Sequence, residues 1–235
     1  MFKILIPIHG KEPESFDELI SSISNQKTES EIEVYFLDDL ADSNFLAKIK
    51  NLGDNFNLVS NFESEKSYAL KNICNFLDEL KEDSLIGIID CDDFLWGKDC
   101  IKNITSLYEL GHDCVWTANR MIGTGINFSA PLNHSLNVYS HPWVSSHFKT
   151  FKLSQYKSIN KKNFLDSNGD WFKSCYDQAL MLPILHNILK NKGSAKYLDK
   201  IHYIYNGSLY IDHKSEYRIS QLENEKFIRT RGFVE

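Results

Sequence analysis

Short apolar runs alternate with amphipathic segments along the first half of the chain. The runs are typical of strands, and they occur at residues 2–8, 32–37, 56–60, 85–89 and 113–117. Apolar residues at helical spacing fill the intervals and predict helices over residues 15–25, 43–53, 65–80 and 101–111. Strands that alternate with helices form right-handed crossovers. We therefore expect an α/β fold with a mostly parallel central sheet flanked by helices.

The second half of the chain has a less regular pattern. Residues 119–144 carry scattered Gly, Pro and Asn and predict a long loop region. Residues 145–159 are expected to be helical, and a later apolar segment predicts a helix that ends at Gly193 and bends or begins near Pro183. Two short strands are expected at residues 196–198 and 201–205. No linker marks a boundary near residue 118, so we expect a single domain over residues 1–235.

The most informative strand is the central one, residues 85–89, because it ends abruptly in three carboxylates. Its apolar run indicates a strand buried on both faces, and Asp90, Asp92 and Asp93 follow it. Ligands of open α/β sheets bind in the crevice beyond the carboxyl ends of the strands, and Asp-x-Asp offers oxygen ligands to a divalent cation. The simpler alternative is that Asp93 only caps the next helix.

A second acidic pair, Asp38 and Asp39, ends the strand at residues 32–37. In a parallel sheet both acidic groups lie at the same edge. One group can bind a nucleoside through hydrogen bonds while the other binds its diphosphate through a metal ion, which is the combination that a nucleotide-sugar site needs. Alternatively, Asp38 and Asp39 are only turn residues.

Composition narrows the class of protein. Of the residues, 42% are hydrophobic and 13% aromatic, which is ample for a packed core. The five cysteines form no C-x-x-C pair, so we expect reduced thiols and a cytoplasmic protein. The apolar start is too short for a signal peptide, and no run is long enough to span a membrane. A net charge of -6 argues against a protein that coats nucleic acid.

Four motifs in order resemble glycosyltransferase family 2, whose members have the GT-A fold. They are ILIPIHG at the first strand, FLDDLADS at the second, EKSYALKN before the central strand, and IIDCDD as the Asp-x-Asp motif. Further on, SHFKTFKL, YDQALMLPIL and IHYIYN resemble acceptor-side segments of a bacterial and phage subgroup. The resemblance implies a GT-A domain with a nucleotide-sugar donor half at residues 1–118 and an acceptor half with a C-terminal tail at residues 119–235.

The resemblance also implies roles for individual residues. The catalytic base is expected to be Asp177, with Asp170 as its rival because no Glu-Asp pair precedes the helix. A divalent cation, Mn²⁺ or Mg²⁺, is expected on Asp92, with His213 as a late ligand. The donor is expected to contact a set drawn from all four motifs: Pro7, Ile8, His9, Asp38, Asp39, Lys71, Asn72, Asp90, Cys91 and Asp92. The acceptor is expected to contact aromatic and basic residues of the second half: Trp143, His147, Lys149 and Trp171.

Several of these residues have a simpler interpretation. Asp177 could be a helix N-cap, Lys71 a solvated helix lysine and Cys91 a packing residue. A lone histidine such as His213 is more often structural or exposed, and aromatic residues belong to the core by default. Gly10 stands where the family usually has a polar residue. Whether this loop contacts the nucleobase of the donor therefore stays open.

The expected reaction is an inverting transfer of a sugar from a nucleoside diphosphate sugar, most simply a UDP-sugar, to an acceptor hydroxyl. The segment 149–162 has a charge of +5 and no acid, which favours a polyanionic acceptor: a cell-surface glycan, a lipid-linked precursor or hydroxymethylated phage DNA. Two other classes stay open, a catalytically inactive nucleotide-sugar-binding module and a nucleotidyltransferase. The latter usually carries a Gly-rich loop, whereas the first loop here has one glycine.

Overall fold

A single mixed sheet of eight strands runs through the molecule. The computed structural model describes residues 1–60, 65–207 and 215–235. The strands are β1 (Phe2–Gly10), β2 (Ile32–Ala41), β3 (Phe56–Val59), β4 (Leu85–Ile88), β5 (Phe94–Leu95), β6 (Cys114–Met121), β7 (Lys149–Lys152) and β8 (Ala195–Tyr205). Their order across the sheet is β3-β2-β1-β4-β7-β6-β8-β5.

Helices cover both faces of this sheet. They are α1 (Phe16–Ser24), α2 (Ser43–Lys50), α3 (Tyr68–Glu79), α4 (Cys100–Glu109), α5 (Leu153–Lys157), α6 (Tyr176–Lys190) and α7 (Glu216–Arg231). Buried residues of α1, α2 and α4 form one apolar cluster, and those of α3 and α6 belong to the other. Among the described helices, none combines the length and the apolarity needed to cross a membrane.

The α/β prediction is confirmed, and the sheet is mixed. Strands β1 to β4 pair in parallel, as the alternating first half predicts. Strand β7 then runs antiparallel to both of its neighbours, β4 and β6. Because β6 is antiparallel to β7, it points the same way as β4, and β8 is parallel to β6. The carboxyl ends of β1, β2, β4, β6 and β8 therefore meet at one edge of the sheet.

Strand β7 corrects the prediction of a helix over residues 145–159. Residues Lys149–Lys152 form the strand, and only Leu153–Lys157 are helical. Phe148 and Phe151 face opposite apolar clusters, as the two-residue period of a strand requires. Lys149 and Thr150 are buried between them. These two polar residues hide the strand pattern in the sequence.

Strand β8 and helix α6 also differ from the sequence predictions. The two short strands expected after Gly193 are one strand, β8, whose pairing with β6 shifts register near Ala118. Helix α6 does not begin at Pro183 but contains it, because the helix starts seven residues earlier at Tyr176. Its first turn therefore reaches the edge of the sheet where the strands end.

Gly87 is a point where the sheet allows no side chain. A methyl group added there would lie 2.6 Å from Phe148 Cζ and 2.9 Å from Phe2 Cε1. We expect Gly87→Ala to lower the free energy of unfolding by about 1–3 kcal/mol, the usual cost of overpacking a core. Chemical denaturation measures this change.

The matched control is the double variant Gly87→Ala/Phe148→Leu, in which the smaller side chain makes room for the methyl group. We expect the methyl group to cost less in the Phe148→Leu background than in the wild type. Equal costs in the two backgrounds would mean that Phe148 does not limit the space at residue 87.

Candidate donor and catalytic site

The loop after β4 holds three carboxylates in different environments. Backbone pairing continues to Ile89, whose N–H donates to the carbonyl of Leu5 (3.1 Å), so Asp90 begins at the sheet edge. Asp90 is partly buried, Asp92 is exposed and Asp93 is fully buried. The Ser15 hydroxyl donates to the carbonyl oxygen of Asp92 at 2.6 Å. Ser15 therefore holds this loop, and its side chain makes no capping hydrogen bond to α1.

Asp93 is tied to the carboxyl end of β8. Its Oδ2 accepts a hydrogen bond from the Tyr203 hydroxyl (2.7 Å), and its Oδ1 accepts one from the backbone N–H of Asn206 (2.7 Å). The Tyr203 hydroxyl also accepts from the N–H of Asp90 at 3.2 Å. Burial raises the pKa of Asp93, and the negative charges of Asp90 and Asp92 add to this effect. Positive charge placed beside Asp93 would therefore stabilise its ionised form.

Asp90 is held from the opposite side by helix α6. The Tyr176 hydroxyl donates a hydrogen bond to Asp90 Oδ1. Burial raises the pKa of Tyr176, and the charge of Asp90 raises it further, so the phenol keeps its proton and remains a donor. The Lys149 ammonium lies 5.1 Å from the centre of the Tyr176 ring, at which distance a cation and a ring attract each other.

His147 completes a cluster with Asp90 and Asp93. Its ring stacks between Tyr203 (4.7 Å between centroids) and Tyr205 (4.9 Å). Burial lowers the pKa of His147 to about 3, so the imidazole is neutral, and its buried Nδ1 has no hydrogen-bond partner. One ligand atom from each of His147, Asp90 and Asp93 lies within 4.8 Å of the others.

These three residues fit a divalent cation. Two carboxylates and a neutral imidazole are ligands that Mn²⁺ and related ions accept. The unpartnered nitrogen of His147 is the observation that supports the fit, because buried polar atoms normally have a partner. Asp92, the ligand that the resemblance implies, has an exposed side chain outside this cluster. His213 lies outside the described residues.

The two candidates for the catalytic base lie in different surroundings. Asp177 is in the first turn of α6, next to Tyr176 and partly buried. Burial raises its pKa, whereas the positive charge of Lys149 opposes that rise. Asp170 is exposed in a tight turn, where its N–H donates to Asp166 Oδ1 at 3.0 Å. Asp177 therefore follows the tyrosine that bonds to Asp90, whereas Asp170 belongs to a surface turn.

The acidic pair Asp38 and Asp39 lies within β2, which continues to Ala41, and both carboxylates accept hydrogen bonds from the protein itself. Asp39 accepts hydrogen bonds from the backbone N–H groups of Ser67 (2.6 Å) and Tyr68 (2.9 Å), which precede and begin α3. Asp38 accepts one from Ala41 N–H at 2.8 Å. Asp38 thus makes the turn contact of the simpler interpretation, whereas Asp39 bonds to the start of α3, which is distant in sequence. A further contact of either one with a nucleoside stays a prediction.

The remaining donor residues come from β1, α3 and the loop after β4. Ile8 is buried and pairs with Asp38, while Pro7 is partly buried and His9 exposed at the end of the strand. Asn72 of α3 donates to the Asp38 carbonyl at 3.2 Å. Lys71 of α3 and Cys91 are both partly buried. These residues surround the same sheet edge, and their contacts with a donor remain predictions.

The residues predicted for the acceptor are dispersed. Trp171 stacks on Phe164 (6.4 Å between centroids), and both belong to an apolar cluster of the core. Trp143 is partly buried, and its Nε1 is buried without a hydrogen-bond partner. His147 belongs to the cluster with Asp90 and Asp93, and the Lys149 ammonium lies over the Tyr176 ring. Contacts of these four residues with an acceptor stay predictions. Sequence reasoning missed Tyr176 and Tyr203, whose only signal was their place beside Asp177 and in the IHYIYN segment.

This fold and the acidic edge define the class of GT-A glycosyltransferases, and comparison with known proteins agrees. The family model of glycosyl transferase family 2 matches residues 3–169. The chain therefore belongs to this family. A search of curated proteins found no match.

Similar solved structures include two of the S. aureus protein TarS and one of a protein from Pyrobaculum calidifontis. TarS 1–349 has a TM-score of 0.64 and 19% identity over 87% of this chain and 60% of TarS 1–349. TarS 1–349 in complex with UDP-GlcNAc has a TM-score of 0.63 and 18% identity over 92% and 61%.

The third structure is the mannosyltransferase PcManGT from Pyrobaculum calidifontis in complex with GDP-Man and Mn²⁺. It has a TM-score of 0.58 and 14% identity over 99% of this chain and 65% of PcManGT. All three likenesses concern the fold, and this chain spans less than two thirds of each of those chains.

We expect the protein to bind Mn²⁺ through Asp93 and His147. Asp93→Asn and His147→Gln each keep the approximate shape of the side chain but remove a ligand, so each should weaken Mn²⁺ binding about tenfold or more. Titration calorimetry on the protein without nucleotide measures the affinity. Thermal unfolding of each variant checks that it is folded.

Asp92→Asn is the comparison variant, and it should change the affinity less than either of the other two. If Asp92→Asn alone abolishes Mn²⁺ binding, the cation sits on the residue that the family resemblance implies. The cluster of Asp90, Asp93 and His147 would then be a structural network.

Proposed function

We propose that this protein transfers a sugar from a nucleoside diphosphate sugar to an acceptor hydroxyl with the help of a divalent cation. The observation that carries the proposal is the joint placement of two groups at one sheet edge. Asp90, Asp93 and His147 can share a cation, and Asp177 directly follows Tyr176, whose hydroxyl bonds to Asp90, in the first turn of α6. Membership of glycosyl transferase family 2 supports it.

The donor proposed here is a UDP-sugar. Solved structures of the same fold contain UDP-GlcNAc, UDP, or GDP-Man with Mn²⁺. Asp90, Asp93 and His147 would hold the cation, which would supply positive charge to the departing diphosphate. Tyr176 and Tyr203 orient the carboxylates of Asp90 and Asp93.

In the proposed reaction Asp177 acts as the general base. It accepts the proton of the acceptor hydroxyl while that oxygen attacks the anomeric carbon from the side opposite the departing nucleoside diphosphate. The anomeric configuration is inverted by such a direct displacement. Lys149 supports this role because its positive charge favours the ionised form of Asp177.

A glycan or a lipid-linked precursor is the acceptor that we favour. The case for DNA depends on free lysines in segment 149–162, but these are largely engaged. Lys152 pairs with Asp113 Oδ1 (2.8 Å), Lys161 pairs with the Asp78 carboxylate, and Lys157 donates to the Asp78 carbonyl (2.7 Å). Lys152 and Lys161 thus neutralise acids of the protein itself. The cytoplasmic location inferred from the cysteines stays a prediction.

We expect Asp177→Asn to lower turnover about a hundredfold or more, the scale of losing a general base. Donor affinity should stay near that of the wild type, because Asn keeps the shape of the side chain. Release of nucleoside diphosphate from a panel of nucleoside diphosphate sugars with Mn²⁺ measures turnover, and calorimetry measures donor affinity.

Asp170→Asn is the matched control, since it makes the same change on the exposed turn and should leave turnover unchanged. If Asp170→Asn lowers turnover and Asp177→Asn does not, the base is Asp170. A wild-type protein that binds donors but never turns over in the presence of candidate acceptors favours the binding module.

We expect Lys149→Met to move the pH dependence of kcat/KM. Asp177 must be ionised to act as a base, so activity falls as the pH drops through its pKa. Removing the cation at residue 149 disfavours the carboxylate and raises that pKa further. The acid limb of the pH profile should therefore lie at higher pH in Lys149→Met than in the wild type.

The profile of Lys152→Met serves as the control, because Lys152 pairs with the distant Asp113. Its acid limb should coincide with that of the wild type. If the acid limb of Lys149→Met is unchanged, Lys149 does not influence the ionisation of Asp177.

A further inference from the structure

The turn that leads into α6 contains a residue in a left-handed backbone conformation. Cys175 has φ 61° and ψ 33°, is not a glycine, and directly precedes Tyr176 and Asp177. This conformation is unfavourable for a residue with a Cβ, and it persists only where neighbouring structure holds it in place. The residues that contact this turn therefore determine how Tyr176 and Asp177 are held.

Helix α7 supplies the contacts that hold this turn. The hydroxyl of Ser174, which is buried, accepts a hydrogen bond from Asn224 Nδ2 (2.9 Å) and shares another with the Ser220 hydroxyl (3.1 Å). Ser220 and Asn224 are four residues apart and so lie on the same face of α7. On the other side of the turn, the Ala179 N–H donates to the Cys175 carbonyl at 3.1 Å.

Helix α7 is itself fixed to the body of the protein. Arg229 donates to Gln178 Oε1 (2.9 Å) on α6 and to the carbonyls of Tyr139 (3.1 Å) and His141 (2.8 Å). The face that presents Ser220 and Asn224 thus has a fixed position relative to α6. A rigid element in contact with the turn can set the direction in which the next residues point.

We propose that Ser220 and Asn224 are positioning residues for the transfer reaction. They hold Ser174, and through the left-handed turn at Cys175 they place the Tyr176 hydroxyl against Asp90 and the Asp177 carboxylate at the reacting centre. This inference rests on the proposed function, because it assigns the turn a role through Asp177. The residues concerned lie beyond residues 3–169, where the family model matches.

Asn224→Ala tests the proposal with two measurements. Amide hydrogen exchange of the peptide covering residues 174–180 should become faster, because the turn loses a hydrogen bond that holds its strained residue. The value of kcat should fall about 10- to 100-fold, the scale of misplacing a reacting group, while the donor KM stays within about twofold.

Two further variants distinguish positioning from a general loss of structure. Glu223→Ala changes the neighbouring exposed residue of α7 and should alter neither measurement. Asn224→Asp keeps the shape and can accept the hydrogen of the Ser174 hydroxyl, so it should recover most of the exchange protection and of kcat.

A third variant uses the strain of the turn directly. Glycine adopts positive φ without a steric penalty, so the turn depends less on α7 when residue 175 is glycine. Adding Cys175→Gly to Asn224→Ala should therefore recover part of the lost kcat, although it removes a buried side chain and lowers overall stability. A purely structural role for α7 predicts the reverse, a further loss.

The outcomes separate this proposal from the proposed function. Unchanged exchange at residues 174–180 in Asn224→Ala overturns the proposal, whatever the activity. Faster exchange with an unchanged kcat overturns it too, because the turn then does not position the base. Absence of turnover in the wild type with every donor and acceptor tested counts against the proposed function, while the exchange data still decide whether α7 holds the turn.

Discussion

The buried carboxylate of Asp93 is the constraint on which the rest of the site depends. A buried carboxylate is costly unless hydrogen bonds or opposite charge compensate for its lost hydration. Here the compensation comes from the end of β8, through the Tyr203 hydroxyl and the Asn206 N–H. Because Asp93 follows β4 by a few residues, these two bonds join the first half of the chain to the last strand of the sheet.

The mixed order of the sheet brings the other components to the same place. Strand β7 enters between β4 and β6, and it carries Lys149 into a position beside residues that follow β4. His147 precedes this strand and reaches the stacked rings of Tyr203 and Tyr205. The antiparallel strand β7 and the residue before it therefore bring the Lys149 ammonium to Tyr176 and the His147 imidazole to Asp90 and Asp93.

The sequence predicts the first half of the fold well because its signals are local. Apolar runs such as Leu85–Ile88 and helical spacing such as that of α3 follow from burial on one or two faces. Strand β7 escapes detection because Lys149 and Thr150 are polar but buried, so their burial depends on partners distant in sequence.

The same reason limits the prediction of site residues. Asp90 follows the end of a strand and Asp177 lies at the start of a helix, and both positions can be read from local sequence patterns. Asp93 looks like a helix cap in sequence, and its bonds to Tyr203 and Asn206 span more than a hundred residues. In the sequence, Lys152 and Lys161 belong to a basic segment without acids. In the folded chain Lys152 pairs with Asp113 and Lys161 with Asp78, which are distant in sequence.

Charge repulsion constrains the carboxylates after β4, whereas backbone strain constrains the start of α6, which carries the proposed base. Asp90, Asp92 and Asp93 lie in one short loop after β4. The repulsion between their negative charges must be offset by hydrogen-bond donors, by Lys149 or by a bound cation. Asp177 is fixed by the turn at Cys175, whose strain needs support from outside α6. The two constraints meet in one hydrogen bond, from Tyr176 to Asp90. A substitution of Tyr176 or of Asp90 should therefore affect both the carboxylates that follow β4 and the position of Asp177.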